Sequence, residues 1–395
     1  MSQLNWNFKM WGAVLAVVIV LSASGAYLSQ QDFEGESVSI ISRVNNDGSG
    51  IFVNNDAPGN LVIRDGDGNI TSFNAAAWKC TVFMTPGPSS IQHMILMDIV
   101  KDMNLDFIQY GSSTSTNAVY WTQVAPGQML AWMDENPDIT GGIAWEPHYT
   151  VAIASGKCKS VLKTEEYWSG HPCCVIAGNN SYLFNNQMQV ERFLAAYVKS
   201  VEWMTDVMAE GSGADYEFLI SKTISVGTPT DPMLALTAEA ALSNILYTYE
   251  LRNLDEQLAA VIETYTSLGL VKPDALSNAG YETPSEFTNH LINGTYLDSV
   301  FKDTDHSELK APEDMGVVVT GAVRIKVAFL AADVHQLALH VGIEKGFFGE
   351  YGLEIQLVGP FAAGGDVMNA LLAGQADIGF LGSPPVVSSS INALR

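Results

Sequence analysis

Basic residues are scarce in this chain. Its 395 residues include 19 Lys and Arg against 43 Asp and Glu, which gives a formal net charge of -24. A nucleic-acid partner is therefore not expected, because neutralising phosphates requires Lys and Arg. The acidity does not indicate disorder, since 47% of the residues are hydrophobic and only 16% are charged. The composition predicts a folded, soluble body, and the length is sufficient for two or three domains.

Cysteine is also rare, and the four cysteines, Cys80, Cys158, Cys173 and Cys174, suit an oxidising compartment without implying a disulfide scaffold. Cys173 and Cys174 lie in a strand-like run, so their side chains are expected to face opposite sides. Three complete pairings are possible, and the spacing does not select one. The sequence has no Cys-x-x-Cys motif and its histidines are scattered, so we predict no metal ligands. A metal site formed by these cysteines is the alternative.

Residues 1–35 form a membrane-directed segment. An uncharged apolar run from Trp11 to Leu28 follows Lys9, and its length falls between a signal-peptide core and a minimal spanning helix. A cleaved signal and a retained membrane anchor both remain open. Either one places the rest of the chain in an extracytoplasmic location, with Lys9 inside.

The body of the chain alternates strands and helices as far as residue 180 and is helical after it. Strand patterns at residues 37–44 and 50–54 flank Asn45-Asn46-Asp47-Gly48, a strong turn signal. Residues 55–74 predict a surface hairpin, and a helix over 187–210 carries an apolar stripe with a period of 3.6 residues. The alternation predicts an α/β fold with a mostly parallel sheet.

The last part of the chain gives the clearest α/β pattern. Strands are predicted at residues 325–330, 353–358 and 376–381, with a helix after each of the first two. Asp333 and Gln336 have the spacing of a capping box, as do Ser89 and Gln92 earlier in the chain. This unit lies at the C-terminal end of the chain.

Five segments carry a family resemblance: EKGFFGEYGLEIQLV, LLAGQADIGFLGSPP, TPGPSSIQHM, WEPHYT and HPCCVIA. They resemble the periplasmic binding proteins for nitrate, aliphatic sulfonates, taurine and thiamine-pyrimidine precursors. In that family the unit seen here at 323–395 directly follows the signal peptide. Residues 388–395 would lead naturally into residues 36–44, so the chain resembles a circularly permuted member of the family.

The resemblance implies a two-lobed type II periplasmic-binding-protein fold, circularly permuted, with an N-terminal hydrophobic helix. The first lobe would comprise residues 36–55, 178–300 and 323–395, and the second lobe residues 56–177. Residues 301–322 would link the family's usual C- and N-termini. The chain would cross between the lobes near 53–58 and 177–180.

The resemblance also implies a ligand site between the lobes, at helix N-termini that follow strands. The first lobe would contribute Asn46, Asp333, His335, Gln336, Gly364, Gly365 and Ser383. The second lobe would contribute Ser89, Ser90, Gln92, His93, Trp145 and Glu146. Several of these residues have a purely structural alternative, as helix caps, as partners of local carbonyls or as part of a hinge. Arg43 is the only cation near these turns, so a neutral, zwitterionic or aromatic ligand stays open.

The function implied by the resemblance is that of a solute receptor for an ABC permease, monomeric and without cofactor or catalytic residues. The ligand would be a sulfonate-, nitrate- or taurine-like anion, or a pyrimidine-like compound. One alternative is a surface sensory module that is not coupled to transport. Another alternative is an enzyme similar to the thiamine-pyrimidine synthases. Those enzymes are marked by an iron-associated CCCFC motif, and this chain has only Cys173-Cys174 of that motif. The tail could also complete a neighbouring chain in a domain-swapped assembly, but a linker of about twenty residues favours closure within one chain.

Overall fold

The structure is a computed structural model that describes residues 37–228, 231–302 and 322–394. The segment expected to direct the chain to the membrane, residues 1–35, lies outside the described residues, as does most of the expected linker. No helix within the described residues combines the length and the apolar character needed to cross a membrane.

The strands, in chain order, are β1 (Val38–Asp47), β2 (Ser49–Asn54), β3 (Val62–Arg64), β4 (Ile70–Phe73), β5 (Val82–Thr85), β6 (Asp106–Gln109), β7 (Ala118–Gln123), β8 (Gly141–Trp145), β9 (Cys158–Lys163), β10 (Pro172–Asn179), β11 (Ile245–Tyr247), β12 (Val323–Leu330), β13 (Leu353–Phe361) and β14 (Ile378–Gly382). The α-helices are α1 (Ala75–Trp78), α2 (Ile91–Asp102), α3 (Met129–Glu135), α4 (His148–Ala154), α5 (Thr164–Tyr167), α6 (Asn180–Asn185), α7 (Gln187–Glu210), α8 (Ala214–Val226), α9 (Pro232–Ser243), α10 (Leu254–Ser267), α11 (Ala275–Asn278), α12 (Pro284–Leu291), α13 (Thr295–Lys302), α14 (Leu337–Glu344), α15 (Phe347–Glu350), α16 (Gly364–Leu372) and α17 (Ser383–Ala393). Short 3₁₀ turns lie at Pro126–Gln128 and Val334–Gln336.

The first sheet joins the two ends of the described chain. Its strand order is β11-β1-β10-β14-β12-β13, so the tail strands β12, β13 and β14 lie in the same sheet as β1. The tail strands are parallel to one another, whereas β10 is antiparallel to both β1 and β14. Strand β14 is buried along nearly its whole length, as expected for a strand covered on both faces. The tail therefore supplies the middle of this sheet and one of its edges.

The second sheet has the order β6-β7-β5-β8-β2-β9. Strands β6, β7, β5 and β8 are mutually parallel, and β2 runs antiparallel to β8 and β9. The hairpin predicted within residues 55–74 is confirmed as β3 and β4, which pair only with each other. Among the described strands, most pairings in the second sheet are parallel, as the α/β alternation predicts, whereas most pairings in the first sheet are antiparallel, so the expectation of a mostly parallel sheet is wrong there.

The turn predicted at residues 45–48 is wrong. Asn45, Asn46 and Asp47 continue β1, where they pair with the three residues of β11. Strands β1 and β2 belong to different sheets, and the chain changes direction at Gly48, whose φ is +86°. The pairing with β11, which is distant in sequence, keeps these polar residues extended, so the local turn propensity is overridden.

The crossings expected near residues 53–58 and 177–180 are also placed differently in the structure. The chain enters the second sheet at Gly48 and returns to the first sheet at the start of β10. The two connections lie side by side, because Asn46 pairs with Pro172 and the Asp47 amide donates to the His171 carbonyl at 3.3 Å.

Helix α7 forms the main support of the first sheet. All seven residues of its predicted apolar stripe are buried: Val190, Phe193, Leu194, Tyr197, Val201, Met204 and Val207. The Tyr197 ring meets the Phe380 ring of β14 edge-on, with centroids 5.5 Å apart. The 3.6-residue period of the sequence is thus confirmed as the face that packs on the tail strands.

Candidate functional site

A cavity of about 200 Å³ lies between elements of the two sheets. The first-sheet side is lined by Cys173, Cys174, Leu330, Asp333, His335, Ala362, Ala363, Gly364, Gly382 and Pro385. The second-sheet side is lined by Pro86, Ser89, Ser90, Ile91, Gln92, Gln123, Ala125, Pro126 and Trp145. A molecule held here would contact both halves of the protein.

Three helices begin at this cavity: α2, α16 and α17. The first amides of a helix have no partner within the helix and carry partial positive charge. The α16 and α17 ends approach closely, because a Cβ added to Gly364 would lie 2.7 Å from Pro385 Cγ. At α2 the N-cap is Ser90, not Ser89 as predicted, and its Oγ accepts from the His93 amide at 3.1 Å. The three helix ends favour an oxygen-rich or anionic group in the cavity.

His335 and Asp333 form a buried pair at the cavity wall. The imidazole Nδ1 lies 3.0 Å from Asp333 Oδ1, and Nε2 lies 3.0 Å from the Gly48 carbonyl oxygen. Burial by itself lowers the pKa of His335, but the charges of Cys173 and Asp333 and the hydrogen bonds to Asp333 and Gly48 raise it to about 9. Both ring nitrogens therefore act as donors at neutral pH, to Asp333 Oδ1 and to the Gly48 carbonyl oxygen.

Among the described residues, neither Lys nor Arg lines this cavity. Arg43, the cation nearest the predicted turns, is buried and donates to the carbonyls of Glu250 and Arg252 and to the side chains of Asn46 and Gln257. The Asp333 carboxylate is also fully engaged, since it accepts from His335 and from Gln336 Nε2. The charge of His335 is offset by Asp333, so the positive potential of the cavity comes mainly from the helix ends.

The expectation that Cys173 and Cys174 face opposite sides is wrong, because both line the cavity and their Sγ atoms are 3.9 Å apart. The register between β1 and β10 explains this arrangement. Asn45 pairs with Cys174 and Asn46 pairs with Pro172, so Cys173 has no partner in the pairing. An irregularity of this kind breaks the alternation of the strand and turns both side chains to one region.

The structure brings seven of the predicted ligand residues to the cavity: Ser89, Ser90, Gln92, Trp145, Asp333, His335 and Gly364. Six others lie outside its lining: Asn46, His93, Glu146, Gln336, Gly365 and Ser383. The indole Nε1 of Trp145 is buried without a hydrogen-bond partner among the described residues. It is therefore a donor available to a bound molecule.

Most of the six residues outside the lining have structural partners. His93 Nδ1 lies 2.9 Å from Thr85 Oγ1, and burial lowers the pKa of His93 to about 4. Glu146 accepts from the side chains of Thr150 and Asn244 at 2.7 and 2.6 Å, although burial raises its pKa. Ser383 Oγ donates to the Pro172 carbonyl at 3.2 Å.

Sequence reasoning missed one wall of the cavity, formed by Gln123, Ala125 and Pro126. Strand β7 ends at Gln123 and a helical turn begins at Pro126. This strand-to-helix turn is of the same kind as those selected from the sequence. Proline at the start of a helical turn was the signal that could have identified it.

The connections between the sheets lie beside the cavity. The Gly48 carbonyl accepts from the Glu146 amide of the second-sheet side at 3.0 Å and also faces His335 of the tail. Gly170, in the return connection, donates its amide to Asp47 Oδ2 at 3.3 Å. The connection at Gly48 therefore contacts the cavity wall through His335.

Asp47, at the end of β1, makes the stability of the protein sensitive to pH. Burial, and then the charge of Glu165, raise the pKa of Asp47 to about 6. The folded state therefore favours the protonated acid, and stability falls as pH rises from about 4 to 6. Asp47→Asn is expected to stabilise the protein by up to about 2 kcal/mol at pH 7, after allowance for solvent screening, and to have little effect at pH 3.5. Urea denaturation at both pH values measures this.

The matched control for this change is Asp56→Asn, which alters an exposed carboxylate in the turn after β2. Its unfolding midpoint should follow that of the unaltered protein at both pH values. Equal midpoints for Asp47→Asn and the unaltered protein at pH 7 would contradict the raised pKa of Asp47 in the folded state.

Comparison with solved structures identifies the fold. The periplasmic nitrate-binding protein NrtA from Synechocystis PCC 6803 matches with a TM-score of 0.50 at 13% identity, over 70% of this chain and 70% of that chain. The aliphatic sulphonate binding protein SsuA from Escherichia coli matches with a TM-score of 0.42 at 12% identity, over 65% of this chain and 69% of that one. The ligand binding component of an ABC-type import system from Staphylococcus aureus, with zinc bound, matches with a TM-score of 0.43 at 13% identity, over 69% of this chain and 76% of that one.

Family models match both ends of the chain. The model of the NMT1-like family matches residues 12–214, about half of the chain, and a second model, NMT1/THI5 like, matches residues 335–392. No curated protein sequence matches the chain significantly. The two matched segments contribute both walls of the cavity, and the α/β architecture is that of a periplasmic binding protein. The chain belongs to the NMT1-like family.

Proposed function

We propose that this protein is an extracytoplasmic solute receptor that captures a small molecule between two lobes and delivers it to an ABC importer. The observation that carries the proposal is the position of the cavity: elements of both sheets line it, and the two connections between the sheets run beside it. Lobe closure around a solute needs this arrangement. The fold shared with a nitrate-binding protein supports the same conclusion.

The sheet topology supports revised lobe boundaries. We assign residues 37–47, 172–302 and 322–394 to the first lobe and residues 49–170 to the second. The first lobe then depends on the tail, whose strand β14 lies between β10 and β12. This dependence, and the family match at residues 335–392, support a circular permutation in which the linker at 303–321 replaces the usual chain ends.

The cavity favours a small solute with oxygen acceptors, such as a sulfonate, nitrate or a pyrimidine-like compound. The three helix ends offer backbone amides, and Trp145 Nε1, which has no partner among the described residues, offers an indole N–H. Without Lys or Arg in the lining, charge neutralisation is weaker than an anion-specific site usually provides. An aromatic or amide-like solute could stack on Trp145 and satisfy the same donors.

A thermal-shift screen over sulfonates, nitrate, bicarbonate, amines and pyrimidines tests the proposal. Binding to the folded state alone stabilises by about 2.7 kcal/mol at a ligand concentration of 100 Kd, so a true ligand should raise the melting temperature by several degrees. A hit should also reduce the radius of gyration in solution scattering, because the lobes close. No shift with any member of the panel would count against a small-solute receptor.

Trp145→Ala should weaken any hit by at least about tenfold while the protein stays folded, because Trp145 lines the cavity and its Nε1 has no other partner among the described residues. The matched control is Trp132→Ala, since Trp132 is 43% exposed on α3 and lies outside the lining. Equal affinity for both variants would reject this placement of the site.

A further inference from the structure

Three metal-binding side chains meet at the wall of the cavity. The Sγ atoms of Cys173 and Cys174 and one ring nitrogen of His335 all lie within 4.8 Å of one another, and all three residues are buried. The cysteines come from β10, whereas His335 comes from the tail, in the turn after β12. His335 is distant from the two adjacent cysteines in the sequence, and the shared sheet brings it to them.

The spacing of the two sulfur atoms fits coordination to one cation. Cys173 Sγ and Cys174 Sγ are 3.9 Å apart, and both cysteines are free thiols. Two thiolates bound tetrahedrally to zinc with bonds of about 2.3 Å lie about 3.8 Å apart. Adjacent cysteines in a regular strand could not reach this spacing, because their side chains would point to opposite faces. The irregular pairing at Cys173 makes it possible.

His335 has the support that a metal-bound histidine usually has. Its Nδ1 lies 3.0 Å from the Asp333 carboxylate, which is itself fixed by Gln336. A carboxylate on one ring nitrogen orients the imidazole and makes the other nitrogen a better ligand. Nε2 would release its proton to solvent and bind a cation in place of its hydrogen bond to the Gly48 carbonyl.

We propose that Cys173, Cys174 and His335 bind a thiophilic divalent cation of the zinc class, with the fourth coordination position facing the cavity. Three protein ligands and one open position are typical of zinc sites that bind an exogenous molecule. The cation supplies the positive charge that the lining lacks, since no Lys or Arg lines this cavity. This role in holding an anionic solute rests on the proposed receptor function, whereas cation binding itself does not.

Cobalt titration of the reduced full-length protein tests the site, because cobalt occupies zinc sites and thiolate ligands give it an intense charge-transfer absorption. We expect this absorption to saturate at one equivalent and to disappear when zinc is added. Cys173→Ser, Cys174→Ser and His335→Gln should each weaken cobalt binding by more than about 100-fold. Cys158→Ser is the matched control, since Cys158 is a buried free cysteine outside the cavity lining. No thiolate absorption in the unaltered protein, or its loss only in Cys158→Ser, would overturn the proposal.

A second measurement needs no variant and so does not depend on how the variants fold. Zinc should protect Cys173 and Cys174 of the unaltered protein from alkylation, as read by peptide mass spectrometry, and should leave exposed Cys80 reactive. Equal alkylation of the cysteine pair with and without zinc would overturn the site.

The thermal-shift screen, repeated with a chelator and with added zinc, separates this proposal from the receptor function. A solute whose shift requires zinc supports both. A solute that shifts the melting temperature equally in chelator supports the receptor function and overturns the role of the cation.

Discussion

A chain that ends at Lys302 is expected not to fold. Removing residues 303–395 removes β12, β13 and β14, and with them the strand that pairs with β10 over Cys174–Gly178. It also removes Phe380, which packs on Phe193 and Tyr197 of α7. Each buried large side chain contributes about 2–5 kcal/mol, and the total stability of a domain is about 5–15 kcal/mol. The loss therefore exceeds the stability available, and circular dichroism should show no cooperative thermal transition.

The informative control rearranges the same residues. A gene that encodes residues 322–394 ahead of residues 37–302, joined by a short flexible linker, should give a folded protein with a cooperative transition. It keeps every strand of the first sheet and changes only the order of the segments. An unfolded product would contradict the circular permutation, and a cooperative transition in the truncated chain would contradict the central place of the tail.

Gly48→Ala is expected to destabilise the protein by about 2–5 kcal/mol. Gly48 has φ +86°, a conformation that costs an L-residue about 1–2 kcal/mol. An added Cβ would also lie 2.3 Å from His335 Nε2, and relieving such an overlap in a buried site costs about 1–3 kcal/mol more. Urea denaturation gives the free energy of unfolding, and the same variant should lose solute binding, because the displaced imidazole lines the cavity.

Gly111→Ala isolates the backbone component of this effect. Gly111 has φ +84° and lies in an exposed turn where an added Cβ would meet nothing within 4 Å. This control should therefore cost only the conformational strain of about 1–2 kcal/mol. Equal losses for the two variants would show that the close approach of Gly48 to His335 does not limit the residue at position 48. The double variant Gly48→Ala/His335→Ala should cost less than the sum of its parts, since the overlapping atom is gone.

Local periodicity was sufficient for the elements that pack by one regular face. The stripe on α7 and the strand-helix alternation of the tail were predicted from the sequence, and the family resemblance implied that the tail joins the first sheet. These features could be predicted because the side chains of a regular helix or strand repeat at a fixed spacing whatever they pack against. The family resemblance likewise implied seven residues that the structure places in the cavity lining.

The sequence was misleading where distant pairing changes the backbone. Asn45, Asn46 and Asp47 have the composition of a turn, but pairing with β11 keeps them extended, and this moves the crossing to Gly48. The cysteine pair was expected to point in two directions, but the shifted register between β1 and β10 turns both sulfurs toward the cavity. Neither pairing partner is near in sequence, so no local pattern records it.

The sequence by itself determined the composition of the parts: an acidic α/β chain, helices with buried stripes, a tail built of βαβ units and donors at the starts of helices. Tertiary structure alone decided which of those parts meet. It set Cys173 and Cys174 beside His335, put Gly48 against the same imidazole and made one cavity from two sheets. The physical reason is that strand register and sheet order depend on contacts between residues hundreds of positions apart, whose free energy exceeds the local preferences of a few polar residues.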